Sequence, residues 1–294
     1  MSDTRDPGDA WVTAADGNSY WGRFGAAGLL LHDPGRGVLL QHRADWSHHG
    51  GTWGIPGGAR HEHEDAVAAA VRESNEEAGV PLDGVLPRYR HVLDRGGWTY
   101  ATIVADAARP FEPVIADAES HALEWVPLDR VEEYSLHPGF AASWPLLRPL
   151  LTAPPAIVVD AANVIGSVPD GWWKDRRAAA VRLRDRILAL GGAPVAPGLV
   201  GLSDAALPGI DAAYPEWVVV TEGVARDVES AGDVRVVGAP ELGDDTIVAE
   251  ARALVERGLR VSVVTADEEL RTRVEAVGVA ATRGPKKLLK RLPI

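Results

Sequence analysis

The sequence predicts an α/β protein of two domains, the second of them a parallel sheet flanked by helices. Three observations predict it. At 294 residues the chain exceeds the usual length of one domain. Its halves differ in composition: residues 1–152 carry 22 acids against 12 bases, residues 153–294 carry 20 against 18, and all nine histidines fall between His32 and His137. In the second half, short apolar runs alternate with amphipathic helical runs, the pattern of successive βα units.

Taken in order, 26–33 (AAGLLLHD) and 37–43 (GVLLQHR) read as strands joined at the Pro34-Gly35 turn. A glycine-rich loop from His49 to Gly58 leads to an alanine-rich helix over Asp65 to Ala78. In it Val67, Ala70, Val71 and Ser74 fall at i, i+3, i+4 and i+7, a stripe expected to face the core. YRHVLD and WTYATIVADA form a strand pair about Gly96-Gly97, HALEWVPLD gives a last strand, and DRVEEY opens a short helix. An apolar-rich helix around Ser143 to Leu151 then runs into Thr152-Ala-Pro-Pro155. A Pro-Pro pair cannot continue a helix and favours a stiff, extended connection. Domains are therefore expected at 1–151 and 156–294, with 152–155 as linker. Beyond the linker, AIVVDAANV (156–164) reads as a buried strand ending in polar residues, with apolar runs at 156–159, 217–220, 234–237 and 261–264, and helices are expected at 174–190, 245–257 and 268–277. No internal repeat or low-complexity segment interrupts this order.

Composition narrows the function classes. At 46% hydrophobic and 24% charged the chain lies in the globular range, which excludes disorder throughout. The longest apolar stretch, Ala26 to Leu31, is too short to cross a bilayer. The start MSDTRDPGDAW has neither basic leader nor apolar core, so no secretory signal is expected. The absence of cysteine excludes disulfides and thiolate metal sites and suits a reducing, cytoplasmic setting. A net charge of −12 argues against coating nucleic acid or adhering to anionic membrane. Oligomeric state leaves no mark on the sequence.

The first chemical constellation lies on the alanine-rich helix. Glu73, Glu76 and Glu77 fall at i, i+3 and i+4 on one face, with Arg72 beside them. Like charges at these spacings destabilise an isolated helix, and a divalent cation is the simplest compensation. Mg²⁺ favours hard oxygen donors and commonly bridges carboxylates to phosphate oxygens.

The spacing of Gly58, Glu64, Arg72, Glu73, Glu76, Glu77, Gly79 and Val80 resembles the Nudix signature at every charged and glycine position. Ser74 departs from it, standing where the family prefers an apolar residue, so a buried hydroxyl there needs a partner. Upstream, Arg43 and Trp53-Gly-Ile-Pro-Gly-Gly58 are also similar to the family, and the resemblance spans about residues 18–150. It implies an α/β/α sandwich with a mixed sheet, with Glu73, Glu76 and Glu77 holding Mg²⁺ or Mn²⁺ and Arg72 orienting a glutamate. Gly57 and Gly58 would let the chain turn before the helix, and Arg43, Trp53, Gly57 and Gly58 would meet substrate. The implied reaction is hydrolysis of a nucleoside diphosphate-linked substrate, foremost a (d)NTP to monophosphate and pyrophosphate. Glu76 is the first choice as general base. Glu119 and Glu124, in a later segment, are alternatives that would otherwise contact a nucleobase or stand exposed. His61 and His63 read as solvated loop residues; His48-His49 lie near where substrate enters; Trp53 and Trp98 suit core packing more than base stacking.

The second constellation is acidic, since residues 156–294 hold neither His nor Cys. Asp160 closes one strand, with Asn163 three residues on; Asp244 and Asp245 open a helix; Asp267 closes another strand. In a parallel sheet the carboxyl ends of strands share one edge, where ligands bind. VVDAANVIG, GDDTIV and VVTADEEL resemble the PIN-like nuclease superfamily, within it the NYN branch. That likeness implies Asp160, Asp244 and Asp267 binding Mg²⁺ against an RNA phosphodiester, with Asn163 and Asp245 assisting. Without it, Asp244 and Asp245 read as helix caps. Trp172-Trp173, Lys174 and the arginines at 176, 177, 182, 184 and 186 suit single-stranded RNA, or else an interface and a solvated face; Lys286, Lys287, Lys290 and Arg291 add a basic cluster. Two further classes stay open: a nucleotide sensor controlling the attached domain, and an enzyme processing RNA 5′ ends.

Overall fold

The computed structural model describes residues 8–293. The first seven residues, which carry most of the polar start, lie outside the described residues. The chain divides into two compact units. One runs through Leu151 and takes in Gly209–Asp211; the other holds Thr152–Pro208 and the chain from Ala212 onward. Gly209–Asp211 thus lies in the first unit although the sequence places it in the second domain. Arg90 grips Asp211 through two bonds of 2.8 and 2.9 Å, a pairing no local pattern announces.

The first unit contains β1 (Trp11–Thr13), β2 (Ser19–Trp21), β3 (Ala26–Asp33), β4 (Gly37–Arg43), β5 (Trp53–Gly54), β6 (Gly57–Ala59), α1 (Ala66–Ala78), β7 (Val85–Asp94), β8 (Thr99–Ala107), β9 (Ser120–Val126) and α2 (Pro138–Leu151). β1 and β2 form a separate antiparallel hairpin. The main sheet runs β7-β8-β3-β4-β5, with β6 on β3 and β9 on β4. It is mixed: β3 and β8 are parallel, the other pairs antiparallel. With α1 packed on β3, β6 and β8 and α2 on β8, it forms an α/β sandwich.

α1 begins where Asp65 accepts the Val67 N–H and ends at Gly79, whose φ of 66° suits a residue without Cβ. Its buried residues are Ala66, Ala69, Ala70, Ser74, Glu77 and Ala78, about one position round from the expected stripe. Val67 and Val71 are only half-buried, because the small alanines give the sheet its closest approach. The rotation carries Glu77 inward. Ser74 meets its need locally, donating to the Ala70 carbonyl at 2.7 Å.

The second unit continues with β10 (Pro155–Asp160), α3 (Ala161–Gly166), α4 (Arg176–Leu188), β11 (Ile210–Ala213, beginning in the first unit), β12 (Glu216–Thr221), β13 (Val234–Gly238), α5 (Gly243–Glu256), β14 (Arg260–Val264), α6 (Glu268–Glu275), β15 (Ala281–Arg283) and α7 (Pro285–Leu289). All of these strands but β11 form one sheet, parallel throughout, in the order β13-β12-β10-β14-β15. Alternate valines explain the layers: Val158, Val218, Val220 and Val263 pack beneath Ile247, Ala251, Leu254 and Leu270 of α5 and α6. The apolar run 156–164 is not all strand. Asp160 ends β10 and accepts the Asn163 N–H at 2.9 Å, starting α3 at once. From central β10 the chain passes to β12 on one side and later to β14 on the other, a topological switch point. Among the described residues, no helix is long and apolar enough to cross a membrane.

Candidate active site

Arg72 is the hub of the first site. Its guanidinium holds Glu64 through two bonds of 2.9 and 3.0 Å, Glu73 at 2.7 Å, Glu76 at 3.2 Å and the Ala59 carbonyl at 3.0 Å. A planar fork makes such simultaneous bonds where an ammonium would not. The Arg72 bonds hold the Glu64 carboxyl below its ordinary range. Glu73 goes the other way, raised by burial against the pull of Arg72.

Glu77 sits deeper. It accepts the Gly57 N–H at 2.9 Å, and burial, with the charges of Glu73, Asp117 and Glu119, pushes its carboxyl up to about 8. One oxygen each from Glu77, Asp117 and Glu119 lie within 4.8 Å of one another. Hard oxygen donors crowded together, Glu77 buried, Asp117 half-buried and Glu119 exposed, fit a divalent cation. Gly57 is required by proximity, since a Cβ there would stand 2.4 Å from the Ala27 carbonyl and the Gly28 Cα, whereas one on Gly58 would stand 2.5 Å from a Glu73 oxygen and displace that side chain.

The structure therefore brings together Arg72, Glu73, Glu76, Glu77, Glu119, Gly57 and Gly58. Within that set Glu76 is on the exposed side, held by Arg72. Glu124 is separate: on β9 it faces solvent and accepts the Tyr134 hydroxyl at 2.7 Å. Trp53 stacks on His42 at 4.8 Å and meets Tyr134 edge-on. Sequence reasoning missed Asp117, although its place two residues before Glu119 was the available signal.

Next to Gly57 and Gly58 opens a cavity of about 370 Å³. Arg43, His48, His49 and His137 line it together with Trp11, Trp21, Tyr20 and Trp98, and Trp11 meets His48 edge-on at 6.2 Å. Trp98 is buried and donates to the Gly22 carbonyl at 3.0 Å. His61 and His63 are loop residues away from this cavity, His63 pairing only loosely with Glu62 at 3.7 Å.

In the second unit, Asp160, Asn163, Glu222, Asp244 and Asp267 line a cavity of about 290 Å³ at the switch point. Asp160 is buried, accepts the Thr265 hydroxyl at 2.8 Å and is raised by burial. Asp244 is raised by burial and by Asp267. Among the described residues, these acids do not bring three ligand atoms within 4.8 Å of one another. Asp245 turns instead to Arg273, and Asn163 accepts the Ala266 N–H at 2.8 Å. Glu222, at the end of β12, is an acid the sequence reading passed over. On α4, Arg177 pairs with Asp227 and Arg184 with Asp185, so part of that basic row is neutralised internally. Arg176 lies over the Trp172 ring, and Trp173 is exposed.

Comparison with known proteins bears on the first unit. Residues 22–148 match the NUDIX domain family. A Mycobacterium tuberculosis protein named "Putative 8-oxo-dGTP diphosphatase 3" is 50% identical over 163 residues, covering 52% of this chain and 73% of its own length. A Bifidobacterium longum "Nucleoside triphosphate pyrophosphatase/Nudix hydrolase fusion protein" is 41% identical over 155 residues, covering 49% of this chain and 32% of that protein. The crystal structure of a Nudix hydrolase from M. smegmatis, RenU, shares 50% identity, covers 48% of this chain and 93% of that one, and has a TM-score of 0.45.

Proposed function

The chain belongs to the Nudix family and is a nucleotide pyrophosphohydrolase; from that premise we propose that it cleaves a nucleoside or deoxynucleoside triphosphate to monophosphate and pyrophosphate. The observation that carries this reading is the carboxylate cluster in which buried Glu77 meets Asp117 and Glu119 at the surface, beside the Arg72 fork. Glu73 and Glu77 would hold Mg²⁺ or Mn²⁺ with Asp117 and Glu119. The cation, when bound, neutralises phosphate charge and lowers the pKa of water. The residues do the rest. Arg72 keeps Glu73 and Glu76 in place, Gly57 and Gly58 let phosphate approach backbone, and Glu76, exposed at the rim, takes the proton from the attacking water. The resemblance of the M. tuberculosis relative, by its name, makes oxidised dGTP a substrate to include. With Mg²⁺ and a panel of NTPs, dNTPs, oxidised nucleotides, ADP-ribose and NADH, one triphosphate class should yield monophosphate and pyrophosphate. Nucleotide binding without turnover would instead mark a sensor, and turnover confined to 5′-triphosphorylated RNA an RNA end-processing enzyme.

For the second unit we propose a PIN/NYN-like domain in which Asp160, Asp244 and Asp267, with Asn163 assisting, bind a divalent cation and cut single-stranded RNA. The cavity these acids line at the sheet's switch point supports that reading. Cation-dependent cleavage of an unstructured RNA, lost in Asp160→Asn, tests it; wild-type protein that leaves such RNA intact would sink it. The unit boundary near Leu151 belongs to the same proposal: two domains, 1–151 and 156–294, joined by 152–155.

A further inference from the structure

In a chain of net charge −12, the cavity beside Gly57 and Gly58 is lined by no Asp or Glu among the described residues. It is lined instead by two arginines and four histidines, three of which converge: His48, His49 and His137 each offer a ring nitrogen within 4.8 Å of the others. The His49 and His137 rings meet edge to face at 4.7 Å, and the His48 and His49 rings at 4.2 Å. Arg43 is tied to the same loop, its Nε donating to the His48 carbonyl at 3.2 Å.

Three imidazoles invite a transition metal, but hydrogen bonding argues against it. His137 Nδ1 lies 3.1 Å from the Gly139 N–H and accepts it. A neutral imidazole whose Nδ1 is an acceptor carries its proton on Nε2. The nitrogen left for the cavity is therefore a donor, and a metal there would have to move that proton to Nδ1 and forfeit the Gly139 bond. A donor wants an acceptor. Burial, and then His49, Arg43 and His48, hold His137 down at about 4, and His48 is lowered by burial, His49 and Arg43. The positive charge of Arg43, which lowers both imidazoles, is relieved by an anion and opposed by a further cation.

We propose that Arg43, His48, His49 and His137 form a subsite for the terminal phosphate of a nucleoside polyphosphate. The subsite selects substrates whose last phosphate is free and doubly charged over those in which it is capped by a sugar or a second nucleoside. A free terminal phosphate carries close to two charges at neutral pH and three acceptor oxygens, whereas a capped one carries a single charge. Charge-assisted bonds from a guanidinium and imidazoles discriminate on that difference. Trp11, edge-on to His48, and its neighbour Trp21 are left for the nucleoside. This selection rests on the pyrophosphohydrolase reading, whereas anion binding at the subsite does not.

The test uses the full chain and the double variant His49→Asn/His137→Asn. Asparagine tolerates the left-handed backbone of His49, whose φ is 55°, and its side-chain oxygen can replace Nδ1 as acceptor for the Gly139 N–H. Calorimetry with inorganic tripolyphosphate in EDTA comes first, since it needs no turnover. The wild type should bind it, and the double variant should bind at least about tenfold more weakly. Kinetics follow. KM for the preferred triphosphate should rise about tenfold or more, while KM for ADP-ribose, whose phosphates are both capped, moves less than twofold. Equal tripolyphosphate binding by both proteins, or equal rises in KM, would overturn the proposal. So would Zn²⁺ held tightly by the wild type and lost in the variant, with tripolyphosphate binding unaffected. If neither protein hydrolyses any nucleotide, the pyrophosphohydrolase reading fails and the calorimetry still decides the anion subsite.

Discussion

Two acidic sites in one chain are assembled in different ways. In the first unit, Glu64, Glu73 and Glu76 come from a single helix and its approach, and one guanidinium ties all three. In the second, Asp160, Glu222, Asp244 and Asp267 come from the ends of three parallel strands and the start of a helix, and share a cavity without a common cation. Charge repulsion in the first is eased inside the protein by Arg72, and Glu77, Asp117 and Glu119, which Arg72 does not touch, would share a metal with Glu73. In the second, Thr265 and the Asn163 N–H satisfy Asp160, and Asp160 and Asp244 are raised first by burial and then by the neighbouring acids. A site organised by its own cation is rigid before ligand arrives; one without is organised by what it binds.

The widest separation should come from neutralising the buried acid of the first site. Glu77→Gln keeps an oxygen acceptor for the Gly57 N–H while removing the charge, so kcat/KM should fall about 10³-fold. Its urea midpoint should hold or rise, because a buried carboxyl that resists ionisation is replaced by a neutral amide of the same shape. If hydrolysis survives within tenfold, the Glu77 group is not the metal site and the contrast between the two sites collapses.

Next in size is the hub. Arg72→Lys keeps the charge but not the fork, and cannot hold Glu64, Glu73 and Glu76 together. A loss of about 10²-fold in kcat/KM and about 1–2 kcal/mol in stability should follow, read from steady-state kinetics and urea unfolding. The counterpart in the second unit is the surface pair of Arg273 and Asp245, where Arg273→Lys should stay within about 0.5 kcal/mol. Comparable losses at both arginines would show that the first network is no more organising than a surface pair.

The same contrast explains how far the sequence could be read. The acids of α1 sit at fixed steps of one helix, so their company with Arg72 was visible as spacing. Strands such as AAGLLLHD were visible because both faces are apolar, and β3 occupies Ala26–Asp33 as read. What spacing could not show was rotation: alanines rather than Val67 and Val71 seat α1, and this sends Glu77 inward and leaves Glu76 outside. Nor could it show Asp117 and Glu119 folding back on Glu77, Glu222 joining the strand-end acids, or Gly209–Asp211 joining the first unit, since each depends on contacts between residues far apart in sequence. His137 stood unnoticed because a lone histidine in a turn gives no signal until His48 and His49 are placed beside it.

A third test is pH. His137 is held at about 4 in the fold, against about 6.5 in an unfolded chain. Its neutral form is favoured by folding, so its contribution is fully present above pH 6.5 and is lost as pH falls from there toward 4, where the unfolded chain binds a proton that the fold refuses. Allowing for its partial exposure, wild type should lose about 2 kcal/mol relative to His137→Asn between pH 7 and 4.5, measured by urea unfolding. The second unit, without histidine, has the opposite sign. Asp160 and Asp244 are raised, so their contribution is lost as pH rises through their folded values and is full only below the unfolded ones. A gap between wild type and variant that does not change with pH would mean that His137 titrates as it does in the open chain.

The smallest effect sharpens the comparison most narrowly. Ser74 departs from the apolar preference of its position, yet it is fully buried and its hydroxyl is spent on the Ala70 carbonyl one turn back. That carbonyl already has a helical role, so the extra bond adds little, while alanine is the better helix former. Ser74→Ala should therefore change stability by no more than about 0.5 kcal/mol and leave kcat/KM within twofold. Ser74 and Glu77 lie on the same buried stripe of α1, one serving only the packing and the other the chemistry. A loss of activity in Ser74→Ala without a loss of stability would show that packing beneath the carboxylates sets their geometry, and that Arg72 is not their sole organiser.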